Sequence, residues 1–269
     1  MSHMLSKSKY IRGLQCDRAL WLDVHNPRLA KYTREQMQRF DRGREFEYAF
    51  KATFPHGIDI SAELKRNVDA YPALTAQLLD RLHTPSPLRG TPPNFAPLRS
   101  QAVSPAEPGR GGEQEALVLF EAGFYYDDVL VLADVVKQRE DGTLDIYEVK
   151  SGSALSETYK RDAALQHYVI SHCREIHSFN IVHNGPPASL PAERDHVAGR
   201  DAGGPFVIVD LTEELAAQHD EIEKNIAAMK AIALATNEPD TPTGAHCLEP
   251  YGCPYQSHCQ SGVRQLALF

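Results

Sequence analysis

Two apolar runs joined by a tight turn constrain this chain more than any other feature. Residues 129–136 read Val-Leu-Val-Leu-Ala-Asp-Val-Val, residues 144–150 read Leu-Asp-Ile-Tyr-Glu-Val-Lys, and Glu140-Asp141-Gly142-Thr143 lies between them. Apolar, β-branched runs around a Gly-containing turn specify a hairpin. In that hairpin Asp134 and Glu148 are expected to be cross-strand neighbours. Side chains alternate along a strand, so Glu148 and Lys150 share one face, while Val149 points to the other and leaves its carbonyl near the acids. Two carboxylates and a peptide oxygen make a hard donor set of the kind Mg²⁺ or Mn²⁺ takes. Lys150 beside them is expected to position or deprotonate a water, or to stabilise charge on a phosphate.

Context matters, because Glu-x-Lys alone says little. Glu63-Leu64-Lys65 repeats it, with only Asp59 just upstream and no room for an intervening strand. Without an acidic neighbour, Glu148 and Lys150 would be a surface ion pair worth about 0–1 kcal/mol. The flanking segments add weight. Ser156 is a suitable N-cap for a helix running to about residue 172, residues 179–183 read as a further strand, and residues 33–54 supply an earlier helix. The resulting order is helix, three strands, helix, strand.

That order, with the acids on the second and third strands, resembles the PD-(D/E)xK nuclease superfamily. Its fold is an α/β restriction-endonuclease-like core, αβββαβ, with a mixed sheet flanked by helices. Gln166 on the following helix resembles the Gln-x-x-x-Tyr motif of the RecB-like branch, which includes the exonucleases of CRISPR adaptation. The match is partial: position 170 is Ile, and Tyr168 or Tyr159 would have to substitute. In the first helix that branch often has Gly-x-x-x-His, and here Gly43-Arg44-Glu45-Phe46-Glu47 places Glu47 at the His position. An oxygen ligand there favours Mg²⁺ or Mn²⁺ over softer metals. The resemblance implies Glu47, Asp134, Glu148 and the Val149 carbonyl as metal ligands, and Lys150 and Gln166 as catalytic residues.

Five cysteines are present: Cys16, Cys173, Cys247, Cys253 and Cys259. The absence of a signal peptide or of 18 consecutive apolar residues points to the cytoplasm and away from a membrane. There, cysteine groups suggest metal or redox chemistry rather than disulfides. One cysteine near the start and a C-x5-C-x5-C triplet near the end resemble the iron–sulfur staple of RecB-like nucleases. By that resemblance Cys16, Cys247, Cys253 and Cys259 hold a [4Fe–4S] cluster that joins residues 5–30 to residues 240–262, with Zn²⁺ at the same four sulfurs as the competing assignment. Cys173 reads as an apolar core residue.

The net charge of −8 opposes a nucleic-acid partner, but its distribution does not. Residues 1–51 hold eleven Lys or Arg against six acids, or +5, leaving −13 for the remainder. Lys7, Lys9, Arg12, Arg44, Tyr159 and Tyr168 are the candidate contacts to nucleic acid, whereas Trp21 and Tyr32 read as core packing. Residues 1–269 read as one domain, interrupted by a proline-rich insertion over 84–114 and a charged, Gly-rich loop over 192–204. Asp210 and Glu213 resemble a capping box opening one long helix with an apolar stripe from Leu215 to Ile232. The implied activity is metal-dependent hydrolysis of DNA, by an exonuclease acting on single-stranded or free ends, with a helicase or CRISPR-type protein as partner. The alternative is a binding or assembly subunit with the same fold and cluster but little cleavage.

Overall fold

The computed structural model describes residues 5–64, 67–81, 116–185 and 206–262. The insertion and the charged loop expected from sequence lie outside these residues. The protein is α/β, with a mixed seven-stranded sheet flanked by helices. The strands are β1 (Leu5–Ser6), β2 (Ile58–Asp59), β3 (Val118–Tyr126), β4 (Val129–Gln138), β5 (Leu144–Lys150), β6 (Ile176–Asn184) and β7 (Phe206–Asp210). Their order is β2-β3-β4-β5-β6-β7.

The hairpin is present. β4 and β5 pair antiparallel from Gln138↔Leu144 to Val135↔Tyr147, and Gly142 has a φ of 87° in the turn, where Asp141 accepts from Thr143. Beyond Tyr147 the two strands part. β3 occupies the whole of one edge of β4, so β5 and β1 must share the other: β5 pairs with residues 135–138 and β1 with Val129 and Leu130. Residues 131–134 of β4 are left unpaired on that edge, and into this gap the chain delivers its charged groups.

Among the helices, α1 (Lys7–Gln15) starts directly after β1 with Ser6 as its N-cap, and α2 (Asp17–His25) follows. α3 (Arg34–Lys51) has a full capping box, in which Thr33 Oγ1 accepts from Gln36 N and Gln36 Oε1 accepts from Thr33 N. α4 (Ile60–Leu64) carries Glu63, so the decoy Glu-x-Lys begins on a helix. α5 (Tyr71–Arg81) lies close on β3 because Gly123 has no side chain: a Cβ there would come within 2.5 Å of Tyr71 Cβ. α6 (Glu157–Ser171) is capped by Ser156, as expected, and is buried continuously from Asp162 to Ile170.

The long C-terminal helix expected from sequence is two helices, α7 (Thr212–Ala216) and α8 (His219–Ala233). Asp210 does not cap with Glu213. Its carboxylate accepts from the backbone and hydroxyl of Thr212 instead, closing a tight turn before α7. Among the described residues the last helix is α9 (Gln256–Gln260), which carries Cys259. One large core joins α1, α5, α6, α7 and α8 to the sheet, and a smaller one, centred on Phe50, Phe120, Val135 and Val149, joins α3 to the opposite face. Cys173, half-buried, packs on the large core and donates weakly to Tyr125 O. Among the described residues no helix is long and apolar enough to cross a membrane.

A histidine pair inside this architecture makes stability pH-dependent. His167 Nδ1 and His219 Nε2 lie 2.8 Å apart between α6 and α8. Burial, then the charge of His219, pushes His167 down to about 4, and burial with His172 lowers His219. Unfolded histidines titrate near 6.5, so below about pH 6.5 the unfolded chain binds more protons and stability is lost as pH falls towards 4. Melting temperature measured against pH should drop across that window, and His167→Phe should flatten the slope.

Candidate metal and phosphate site

The gap beside β4 gathers two linked sets of charges. Asp134 sits one step beyond the last β4–β5 pair, and its Oδ2 accepts from the Val149 backbone at 2.7 Å, replacing a ladder bond where the strands part. The Val149 side chain joins the α3-side core, as alternation predicts. Its link to Asp134 runs through its N–H. Glu148 is 1% exposed, and its Oε1 accepts from Lys150 at 2.5 Å and from Lys7 at 2.9 Å. Lys150 also donates to Asp162 on α6. Two ammonium groups and two carboxylates therefore alternate in one network.

Burial disfavours charge on all of these groups, and their mutual attraction decides the outcome. For Glu148, burial pushes the carboxyl up, but Lys150 and Lys7 outweigh it and hold it well below the usual carboxylate range. Lys150 also loses hydration, yet Asp162 and Glu148 keep it charged well above the ordinary lysine value. Lys7 follows the same logic. Of the roles expected for Lys150, this favours charge stabilisation over proton abstraction.

The second set was only partly legible in the sequence. Carboxylate oxygens of Glu47, Glu121 and Asp134 lie within 4.8 Å of one another. Glu47 and Asp134 were expected there; Glu121 was not. Val118 and Phe120 of β3 pack with Phe50 of α3, but Ala122 and Phe124 belong to the large core on the other face. Alternation therefore slips at Glu121, a non-glycine residue with a φ of 54°. β4 slips at the facing position, with Val131 and Ala133 in the large core and Val135 against α3. The paired slip turns Glu121 and Asp134 together towards Glu47. Lys51 Nζ reaches Glu47 at 2.5 Å and Glu121 at 2.6 Å. Burial, then Glu148, raise Asp134 well above the usual carboxylate range, and burial raises Glu121 against the pull of Lys51.

This donor set fits a hard divalent cation, being three carboxylates from three elements with no sulfur or imidazole. Orphaned polar atoms lie in the same region: Glu148 Oε2, Asp162 Oδ1 and both amide atoms of Gln166 are buried without a hydrogen-bond partner among the described residues. Such atoms mark a place where a ligand, ion or water completes the bonding. Gln166 lies one turn after Asp162 on α6 and is fully buried.

The other expected contacts divide. Lys7 is an internal partner of Glu148, while Arg12 and Tyr159 line a groove leading to Lys150. Lys9 lies on α1, and Arg44 is exposed on α3 and paired with Asp41. Tyr168 is buried against Tyr126 and His172, which removes it from contact with nucleic acid in this conformation. Asp162 was missed in the sequence, although it stands one helical turn before Gln166.

Along the same groove, Gln15 Nε2 donates to the carbonyls of His246, Glu249 and Tyr251, which ties α1 to the cysteine-bearing loop. Cys16, Cys253 and Cys259 pack around Trp21, Leu22 and Tyr255, and Cys253 N donates to Cys247 O at 2.8 Å. Burial raises the thiols of Cys16, Cys253 and Cys259. Their neighbours add to it: Cys247 acts on Cys16, Cys16 and Cys247 act on Cys253, and Cys253 and Cys16 act on Cys259. Buried Arg18 binds Glu238, which also meets His258 Nε2 at 3.2 Å and so joins α2 to α9. No family model, curated protein or solved structure matches this chain.

Proposed function

We propose that this protein is a metal-dependent deoxyribonuclease built on a PD-(D/E)xK-type core. The observation that carries the reading is the Glu47, Glu121 and Asp134 trio set beside the buried Lys150–Glu148 pair. Mg²⁺ or Mn²⁺ held by the trio would supply positive charge at a scissile phosphodiester. Lys150, fixed between Glu148 and Asp162, presents a permanent ammonium where charge develops on phosphate oxygens. Val149 N–H fixes Asp134, and the free amide of Gln166 orients a water or phosphate oxygen nearby. A second reading, a binding subunit without cleavage, draws on Lys51, whose ammonium already neutralises Glu47 and Glu121.

The same proposal gives Cys16, Cys247, Cys253 and Cys259 a [4Fe–4S] cluster that staples α1 and α2 to the C-terminal segment. The reading draws on one early cysteine and the C-x5-C-x5-C triplet, with Zn²⁺ at the same four sulfurs as the competing assignment. Anaerobically purified protein should carry about four iron atoms per chain, and Cys253→Ser should lose them and melt lower while still binding Mn²⁺. The activity is tested on end-labelled single- and double-stranded DNA with Mg²⁺, Mn²⁺ or EDTA. Cutting that needs the metal supports the nuclease, and iron-loaded protein that binds DNA without cutting it supports the binding subunit.

A further inference from the structure

α3 turns two different faces to its surroundings. Inward, Phe46 and Phe50 pack in the smaller core, and Glu47 joins the carboxylate trio. Outward, Met37, Asp41, Arg44 and Tyr48 are all exposed, Met37 by 48% and Tyr48 by 68%. The steps between these four are four, three and four residues. At about 100° per residue they fall within roughly 60° of one another, on the side opposite Phe46 and Phe50. They form one stripe. Alternating steps of three and four are the spacing of a coiled-coil seam, and large side chains such as Met37 and Tyr48 in an exposed stripe mark a contact surface.

The order of the four residues identifies the occupant, because the stripe is complementary to itself. When two copies of α3 lie antiparallel about a two-fold axis between Arg42 and Gly43, Met37 faces the partner's Tyr48 and Asp41 faces the partner's Arg44. The axis repeats both contacts, giving an apolar layer at each end and two ionic layers between them. Thioether against aromatic ring is a favourable contact, and every charge meets its opposite. A parallel pair in register would set Asp41 on Asp41 and Arg44 on Arg44. Within one chain Arg44 already bonds Asp41, so pairing closes the four charges into an alternating ring.

We infer that the outward face of α3 binds the same face of a second copy of this chain, antiparallel, as a weak and reversible dimer. Its four layers span only about 17 Å of helix, which places the contact among small, transient interfaces. Nothing in this inference depends on the nuclease reading, since Glu47 stays on the inward face of each copy.

Sedimentation velocity of the anaerobically purified full chain in reductant, from micromolar to submillimolar concentration, tests it. The parent should move from monomer towards dimer as concentration rises. Arg44→Glu and Asp41→Arg should each weaken self-association about tenfold or more, because the axis duplicates each like-charge contact. Melting of the monomer should change little, since both side chains are exposed. Mixing the two single variants should restore dimers, with Asp41 and Glu at 44 of one copy facing Arg44 and Arg at 41 of the other, and the double swap Asp41→Arg/Arg44→Glu should self-associate like the parent. A parent that stays monomeric throughout, single variants that associate like the parent, or a mixture that remains monomeric would overturn the inference.

Discussion

Asp134→Asn is expected to melt higher than the parent protein in EDTA and to lose DNA cleavage in Mn²⁺. Asparagine keeps an acceptor for Val149 N–H and removes a charge that is buried near Glu47, Glu121 and Glu148. The carboxyl of Asp134 is raised in the folded protein, so its contribution to stability is complete below about pH 4 and is lost as pH rises through the folded value. At neutral pH without metal it is therefore a liability, and neutralising it should gain on the order of 1 kcal/mol, or about 3 °C. With metal the sign reverses for function. Losing a ligand should forfeit several kcal/mol of charge stabilisation, about a thousandfold in rate. Melting curves in EDTA alongside cleavage in Mn²⁺ separate the two effects, and a variant that melts lower and cuts normally would contradict both.

Glu238→Ala should produce the largest loss of stability. Glu238 is 8% exposed and binds Arg18, which is 7% exposed, and also meets His258. Truncation leaves a buried guanidinium without its partner, at a cost of about 3–5 kcal/mol, or about 10 °C in a chain of this size. The damage should concentrate where α2 meets α9, so hydrogen exchange should rise in residues 17–25 and 256–260 before it rises in β4 and β5. Glu238→Gln, which keeps an acceptor, should lose less. Equal melting of the alanine variant and the parent would show that Arg18 finds another partner.

The hairpin was legible because two apolar runs flank a Gly-containing turn and pair in regular register from Gln138↔Leu144 to Val135↔Tyr147, and α6 was legible because Ser156 caps a long apolar segment. Glu121 was hidden by the same rule that revealed Asp134. Strict alternation puts Glu121 on the face opposite Phe120, and only a left-handed residue facing a second slip in β4 brings it to Glu47. Its trace in the sequence was a single acid inside the apolar run 118–124. β1 has two residues and no periodicity to detect, yet it sets the gap in β4 and delivers Lys7 to Glu148. Tyr32 read as core because aromatic residues usually are. It is exposed because α3 is anchored at its first turn by Thr33 and Gln36 rather than by packing.

Calorimetric titration of Mn²⁺ into the parent protein and into Glu121→Gln, with cleavage read in the same samples, tests most directly whether the three carboxylates hold the working cation. Binding and cutting should fall together in the variant, because it retains the backbone slip and loses only the charge. Parent-like cleavage by Glu121→Gln, or Mn²⁺ binding that ignores the substitution, would place the cation elsewhere and contradict the site described for Glu47, Glu121 and Asp134.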